Sequence, residues 1–190
     1  MPRFFVATLI TAFLLLPPAF ADEEASNSVH VAAATNGRHY AKSIPAESYG
    51  SKGETRIYRV TKDQDELETT FNWFAGELFL QDTAWGTSVV RLGPWARGHE
   101  ASKDDLAIAF YLNGKLLKQY STLDLAGKPD NVHSSTSHYT VWGKILGYRW
   151  IDSNDYAFDV EALDGKIISF NITTGEILPP EHENASTKAK

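Results

Sequence analysis

Leu106-Ala107-Ile108-Ala109-Phe110-Tyr111-Leu112, followed by Asn113-Gly114-Lys115, is the stretch that decides the fold class. A strand sends alternate side chains to opposite faces, so Leu106, Ile108, Phe110 and Leu112 share one side and Ala107, Ala109 and Tyr111 the other. Both sets are apolar, and the segment reads as a strand covered on both faces and central in its sheet. Type I′ hairpin turns need positive φ at both central residues, which Asn and Gly tolerate, and Asn113-Gly114 supplies them. Asn36-Gly37 and Asp164-Gly165 repeat the signal.

Working outward, Tyr156, Phe158 and Val160 alternate with Asp159 and Glu161, a half-buried strand that returns after Asp164-Gly165 as residues 166–171. Further strands are expected at 55–60, 67–74, 77–82, 87–92 and 139–151, the last interrupted at Gly143 or Gly147. No segment keeps apolar residues at helical spacing for three turns. One short helix is expected at 122–126, with Thr122 as its cap. Close-spaced strands with glycine turns indicate an all-β sandwich, barrel or propeller-like fold.

Within this pattern, Asp164-Gly165-Lys166-Ile167-Ile168-Ser169-Phe170-Asn171 and Thr173-Thr174-Gly175-Glu176-Ile177-Leu178 make residues 156–178 resemble the inner hairpin of a PQQ-type β-propeller blade. The tryptophan that commonly closes that repeat is replaced by Pro179. Two or three such hairpins cannot close a propeller of at least four blades. The expected architecture is an antiparallel, blade-like open sheet or sandwich built from hairpins, not a closed propeller. Asn113-Gly114 and Asp164-Gly165 sit 51 residues apart, which allows two related halves. Taken whole, the chain resembles exported bacterial β proteins.

Export is read from the start of the chain. Arg3 precedes an apolar run over 4–16, then Pro17-Pro18 and Ala19-Phe20-Ala21, so residues 1–21 form a signal peptide cleaved after Ala21. The run is too short for a stable membrane anchor, and Asp22-Glu23-Glu24 follows it in place of a basic stop signal. Cleavage leaves 169 residues, enough for one domain with a real core. The expected plan is a flexible N-terminus at 22–28, a single β domain at 29–178 and a disordered tail at 179–190. No cysteine is present, which excludes a disulfide-stapled domain and a lipoprotein acceptor, and no twin-arginine pair precedes the apolar run. The destination is the periplasm or the medium. Loss of Arg3 moves the formal charge from -6 to -7, and without a basic block neither nucleic acid nor an anionic membrane is an expected partner.

Three constellations carry chemistry. The first runs from Asp130 through Asn131, His133, Ser134, Ser135, Thr136, Ser137 and His138 to Tyr139. A serine beside a histidine invites a hydrolase with Ser135, Ser137 and His138 in the catalytic roles, since a hydroxyl nucleophile needs an adjacent base. No Gly-x-Ser-x-Gly elbow is present, and the same residue types serve ordinary loops. In the second, His133 and His138 join His99, Glu100 or Asp104 as divalent-metal ligands. Asp152, Asn154 and Asp155 lack the remainder of a calcium loop and read as a turn. The third is aromatic: Trp85 sits in a turn, and Trp95 opens the 93–105 loop beside Arg97 and His99. Loop-borne rings near polar donors stack on sugars or hold a protein partner.

The sequence therefore points to an exported β protein with a binding or scaffolding role in the envelope. Its ligand-binding residues are Trp85, Trp95, Arg97 and His99, its partner an envelope protein or a carbohydrate, and no cofactor is expected. The rival reading is an exported hydrolase, metal-assisted or serine-dependent, centred on His133 to His138.

Overall fold

The structure, a computed structural model, describes residues 25–152 and 155–180. The expected signal peptide at 1–21 and most of the expected C-terminal tail at 179–190 lie outside the described residues. In chain order the elements are β1 (His30–Ala33), β2 (His39–Pro45), β3 (Gly53–Arg59), β4 (Glu66–Phe71), β5 (Leu78–Thr83), β6 (Gly86–Leu92) and β7 (Ala96–Arg97). There follow β8 (Leu106–Leu112), β9 (Lys115–Ser121), α1 (Thr122–Ala126), β10 (His133–Ser134), β11 (His138–Thr140), β12 (Trp142–Asp152), β13 (Asp155–Ala162) and β14 (Ile167–Asn171). The fold is nearly all β, in several antiparallel sheets, none closed into a barrel or propeller. The sheets run β1-β2-β3-β4, β5-β6-β8-β9, β12-β13-β14, and a small sheet β10-β11-β7.

The second of these is the middle layer, as the two-faced apolarity of β8 requires. Ala109 and Tyr111, with Leu78, Leu80 and Val89, pack against Ala41, Ile57 and Phe71 of the first sheet. Ile108 and Phe110, with Val90 and Leu92, pack against Phe158, Val160 and Phe170 of the third sheet and Ile172 beyond it. Burying one aliphatic or aromatic side chain contributes about 1.5–3 kcal/mol, so these two interfaces dominate the stability of a chain that has no disulfide. A separate small core of Ala96, Ala101, Ala107, Ala126, Tyr139 and Val141 seats the small sheet and α1 at one end of the middle layer.

The three Asn-Gly and Asp-Gly pairs differ. Asn113 (φ 49°) and Gly114 (φ 79°) form the expected two-residue turn between Leu112 and Lys115. At Asn36-Gly37 and Asp164-Gly165 only the glycine has positive φ. There the bonds Gly37 N–H to Ala34 O and Gly165 N–H to Ala162 O close longer loops, so these two pairs are not type I′ turns. The α1 cap is Ser121, not Thr122: Ser121 and Asp124 exchange a capping box, while Thr122 is buried. Gly143 and Gly147 fall at irregular pairings of β12 with β13, where they leave the strand unbroken. The loop after β14 docks on the middle layer at Gly175, whose place a side chain would fill at 2.5 Å from Lys118 Cβ, and Tyr120 donates to Gly175 O at 2.9 Å.

Candidate functional site

The chain leaves β6 through Gly93-Pro94-Trp95 and pairs again as β7. Gly93 permits this, because a Cβ there would lie 1.7 Å from Leu106 O. Gly93 N–H donates to Ala107 O at 2.8 Å, pinning the start of the loop. Ala96 and Arg97 then pair with Tyr139 and His138 of β11. This register lays the Trp95 ring on the His138 imidazole, centroids 4.4 Å apart and planes within 20°. His138 is only 4% exposed, whereas Trp95 remains 44% exposed. The indole thus has a rigid backing and an accessible surface.

Beside it opens a cleft of about 290 Å³ lined by Trp95, Trp142, Tyr139, Thr140 and Glu77. Tyr139 is fixed at its base: its hydroxyl donates to Asp105 Oδ2 at 2.6 Å and meets Thr122 Oγ1 at 2.8 Å. Burial, reinforced by the Asp105 bond, raises the Tyr139 pKa, so the phenol stays neutral. A second pocket, of about 310 Å³, lies on the other side of Pro94 and Ala96, which line both. The 93–105 loop is therefore a partition between two cavities.

The predicted site residues are dispersed. Trp85 is 63% exposed in the β5–β6 turn, while Trp95 follows the opposite end of β6, so the two rings form no common site. Arg97, His99, Glu100 and Asp104 are exposed, as is His133. Among the described residues no three His, Cys, Asp or Glu side chains gather where they could hold a metal ion, so His99, His133 and His138 are not brought together as such a group. Ser135 serves its own turn, its Oγ bridging the backbone O and N–H of His138 at 3.2 and 3.3 Å. Ser137 Oγ lies 2.8 Å from His138 Nδ1, so the serine-dependent reading narrows to that adjacent pair.

The sequence reading gave no site role to Trp142 or Arg91 and placed Tyr139 only at the end of the polar 130–139 loop. Trp142 and Tyr139 were absorbed into a single long strand, and the small sheet that turns them toward Trp95 depends on contacts remote in sequence. Arg91 did leave a signal, a charge between the apolar residues Val90 and Leu92. In comparisons with known proteins, no family model, curated protein or solved structure matches the chain.

Proposed function

We propose that this protein is a non-enzymatic binding module, exported to the cell envelope, that recognises carbohydrate at the cleft between Trp95 and Trp142. The observation that carries the reading is the Trp95 ring, stacked on buried His138 yet nearly half exposed at the edge of the cleft. A pyranose ring presents an apolar face and a fringe of hydroxyls. Trp95 and Trp142 supply apolar surface for the face, while Glu77 and Thr140 supply hydrogen-bonding groups for the fringe. A concavity of this size suits one or two sugar units better than a flat protein surface does. The backing by His138 limits the ordering cost, since the ring need not be immobilised on binding.

The test is a tryptophan-fluorescence titration with soluble oligosaccharides, N-acetylglucosamine tetramer and cellotetraose among them, on the chain and on Trp95→Ala. Saturable quenching that the variant loses supports the reading. Absence of any response across the panel, or an undiminished response in Trp95→Ala, overturns it.

A further inference from the structure

The pocket on the far side of Pro94 has a different chemistry. Arg91 and Gln119, which both line it, stand on the two strands flanking β8, each paired with Ala109. The small Ala109 side chain leaves room between the two long polar ones. Arg91 belongs to the face that meets the first sheet, two residues beyond Val89, and its guanidinium lies 4.5 Å from the centre of the Trp73 ring. Trp73 is itself held in place, its carbonyl accepting from Thr55 Oγ1 at 2.9 Å. Among the described residues no carboxylate pairs with Arg91, and its Nε is buried without a hydrogen-bond partner. Burial lowers the Arg91 pKa, and Tyr111 beside it acts in the opposite direction. Arginine nonetheless stays charged at neutral pH, and buried charges are ordinarily paired.

The same pocket is lined by Asp104 and Asp105, with exposed Lys103 beside them. Asp105 engages Tyr139 through Oδ2 alone, leaving Oδ1 available, and Asp104 is exposed. Ser51 and Ser121 also line the cavity. The pocket thus carries on one side a guanidinium that Tyr111 and the Trp73 ring contact but no carboxylate among the described residues neutralises, and on the other two carboxylates beside exposed Lys103, an arrangement complementary to a ligand carrying both signs. Its volume of about 310 Å³ is at the lower end of small-molecule sites, which run from roughly 300 Å³ upward.

We propose that this pocket binds a small zwitterion, an α-amino acid or dipeptide, with its carboxylate on Arg91 and its ammonium on the Asp104 and Asp105 rim. Arg91 acts as the anchor because a planar guanidinium meets a carboxylate through two parallel hydrogen bonds. The site shares Pro94, Ala96 and Leu106 with the carbohydrate cleft, but Trp95 does not line it.

Isothermal titration of the mature chain with L-alanine and L-alanyl-L-alanine, to about 10 mM, tests the assignment. Controls are L-alaninamide, which lacks the carboxylate, N-acetyl-L-alanine, which lacks the ammonium, and inorganic phosphate. At least one zwitterion should bind, alaninamide at least tenfold more weakly and N-acetylalanine several-fold more weakly. Arg91→Gln should weaken the zwitterion at least tenfold, Asp104→Asn should weaken it several-fold, and Trp150→Ala, at an exposed ring that lines neither cavity, should leave it unchanged. Should Arg91→Gln fail to fold, the ligand series on the unaltered chain and Asp104→Asn still decide. The proposal is overturned if neither zwitterion binds, if alaninamide binds as well as alanine, if phosphate competes at equal strength, or if a folded Arg91→Gln retains full affinity.

Discussion

Asn113 sits at φ 49°, a left-handed conformation that costs most residues about 1–2 kcal/mol and that asparagine tolerates. Its side chain also joins two turns: Nδ2 donates to Trp85 O at 2.9 Å, and Oδ1 accepts from Thr87 N–H at 3.1 Å. Gly86 makes room for this clasp, because a Cβ there would lie 1.9 Å from Asn113 Oδ1. Asn113→Ala should therefore cost about 2 kcal/mol in denaturant unfolding, through both lost bonds and the strained φ. Asn36→Ala, at a turn where only Gly37 needs positive φ, should cost under about 0.5–1 kcal/mol. The Asn113 turn was legible because its requirement is local. The clasp was not, because its partner is 26 residues away along the chain.

At the scale of elements, α1 survives at five residues because its first turn is capped on both sides. Ser121 N–H and Oγ–H donate to Asp124 Oδ2 at 2.8 and 2.7 Å, and Asp124 N–H donates to Ser121 Oγ at 3.1 Å. Ser121→Ala should cost about 1 kcal/mol at neutral pH. The Asp124 pKa is lowered by the Ser121 backbone N–H first and the hydroxyl second. A carboxylate depressed in the folded state contributes stability fully above its unfolded value, about pH 4, and loses it as pH falls through the folded value. The gap between the melting temperatures of Ser121→Ala and the parent should accordingly shrink on acidification below about pH 4. The helix and its bounds at 122–126 were legible; its cap was misread by one residue, since serine and threonine both cap. The Ser-x-x-Asp spacing of 121 and 124 is the signal that separates them.

For the whole molecule, the middle sheet is the keystone, with two independent interfaces on its faces. Phe110 is fully buried, 5.0 Å from the Phe170 ring, and Phe110→Ala should cost about 3–5 kcal/mol in denaturant unfolding. Backbone amides of β8 should be the slowest to exchange with solvent, since their exposure requires global opening. The two-faced strand was legible from composition alone, whereas the identity of the covering layers was not, because packing between sheets leaves no local pattern. The site followed the same division. Trp95 and the 93–105 loop stood out by their residue types, while the cleft partner Trp142 and the arginine pocket arise only when distant strands meet.

The same architecture provides its own control for the binding reading. Trp95 and Trp142 line one cleft, whereas Trp85 and Trp150 lie at the other ends of β6 and β12. The most direct measurement is a two-dimensional NMR titration that follows the indole N–H signals of the five tryptophans as oligosaccharide is added to the nitrogen-15-labelled chain. The account predicts saturable shifts of the Trp95 and Trp142 signals with Trp85 and Trp150 unmoved. Shifts confined to Trp85 or Trp150, or no movement of Trp95 with any sugar of the panel, would contradict it.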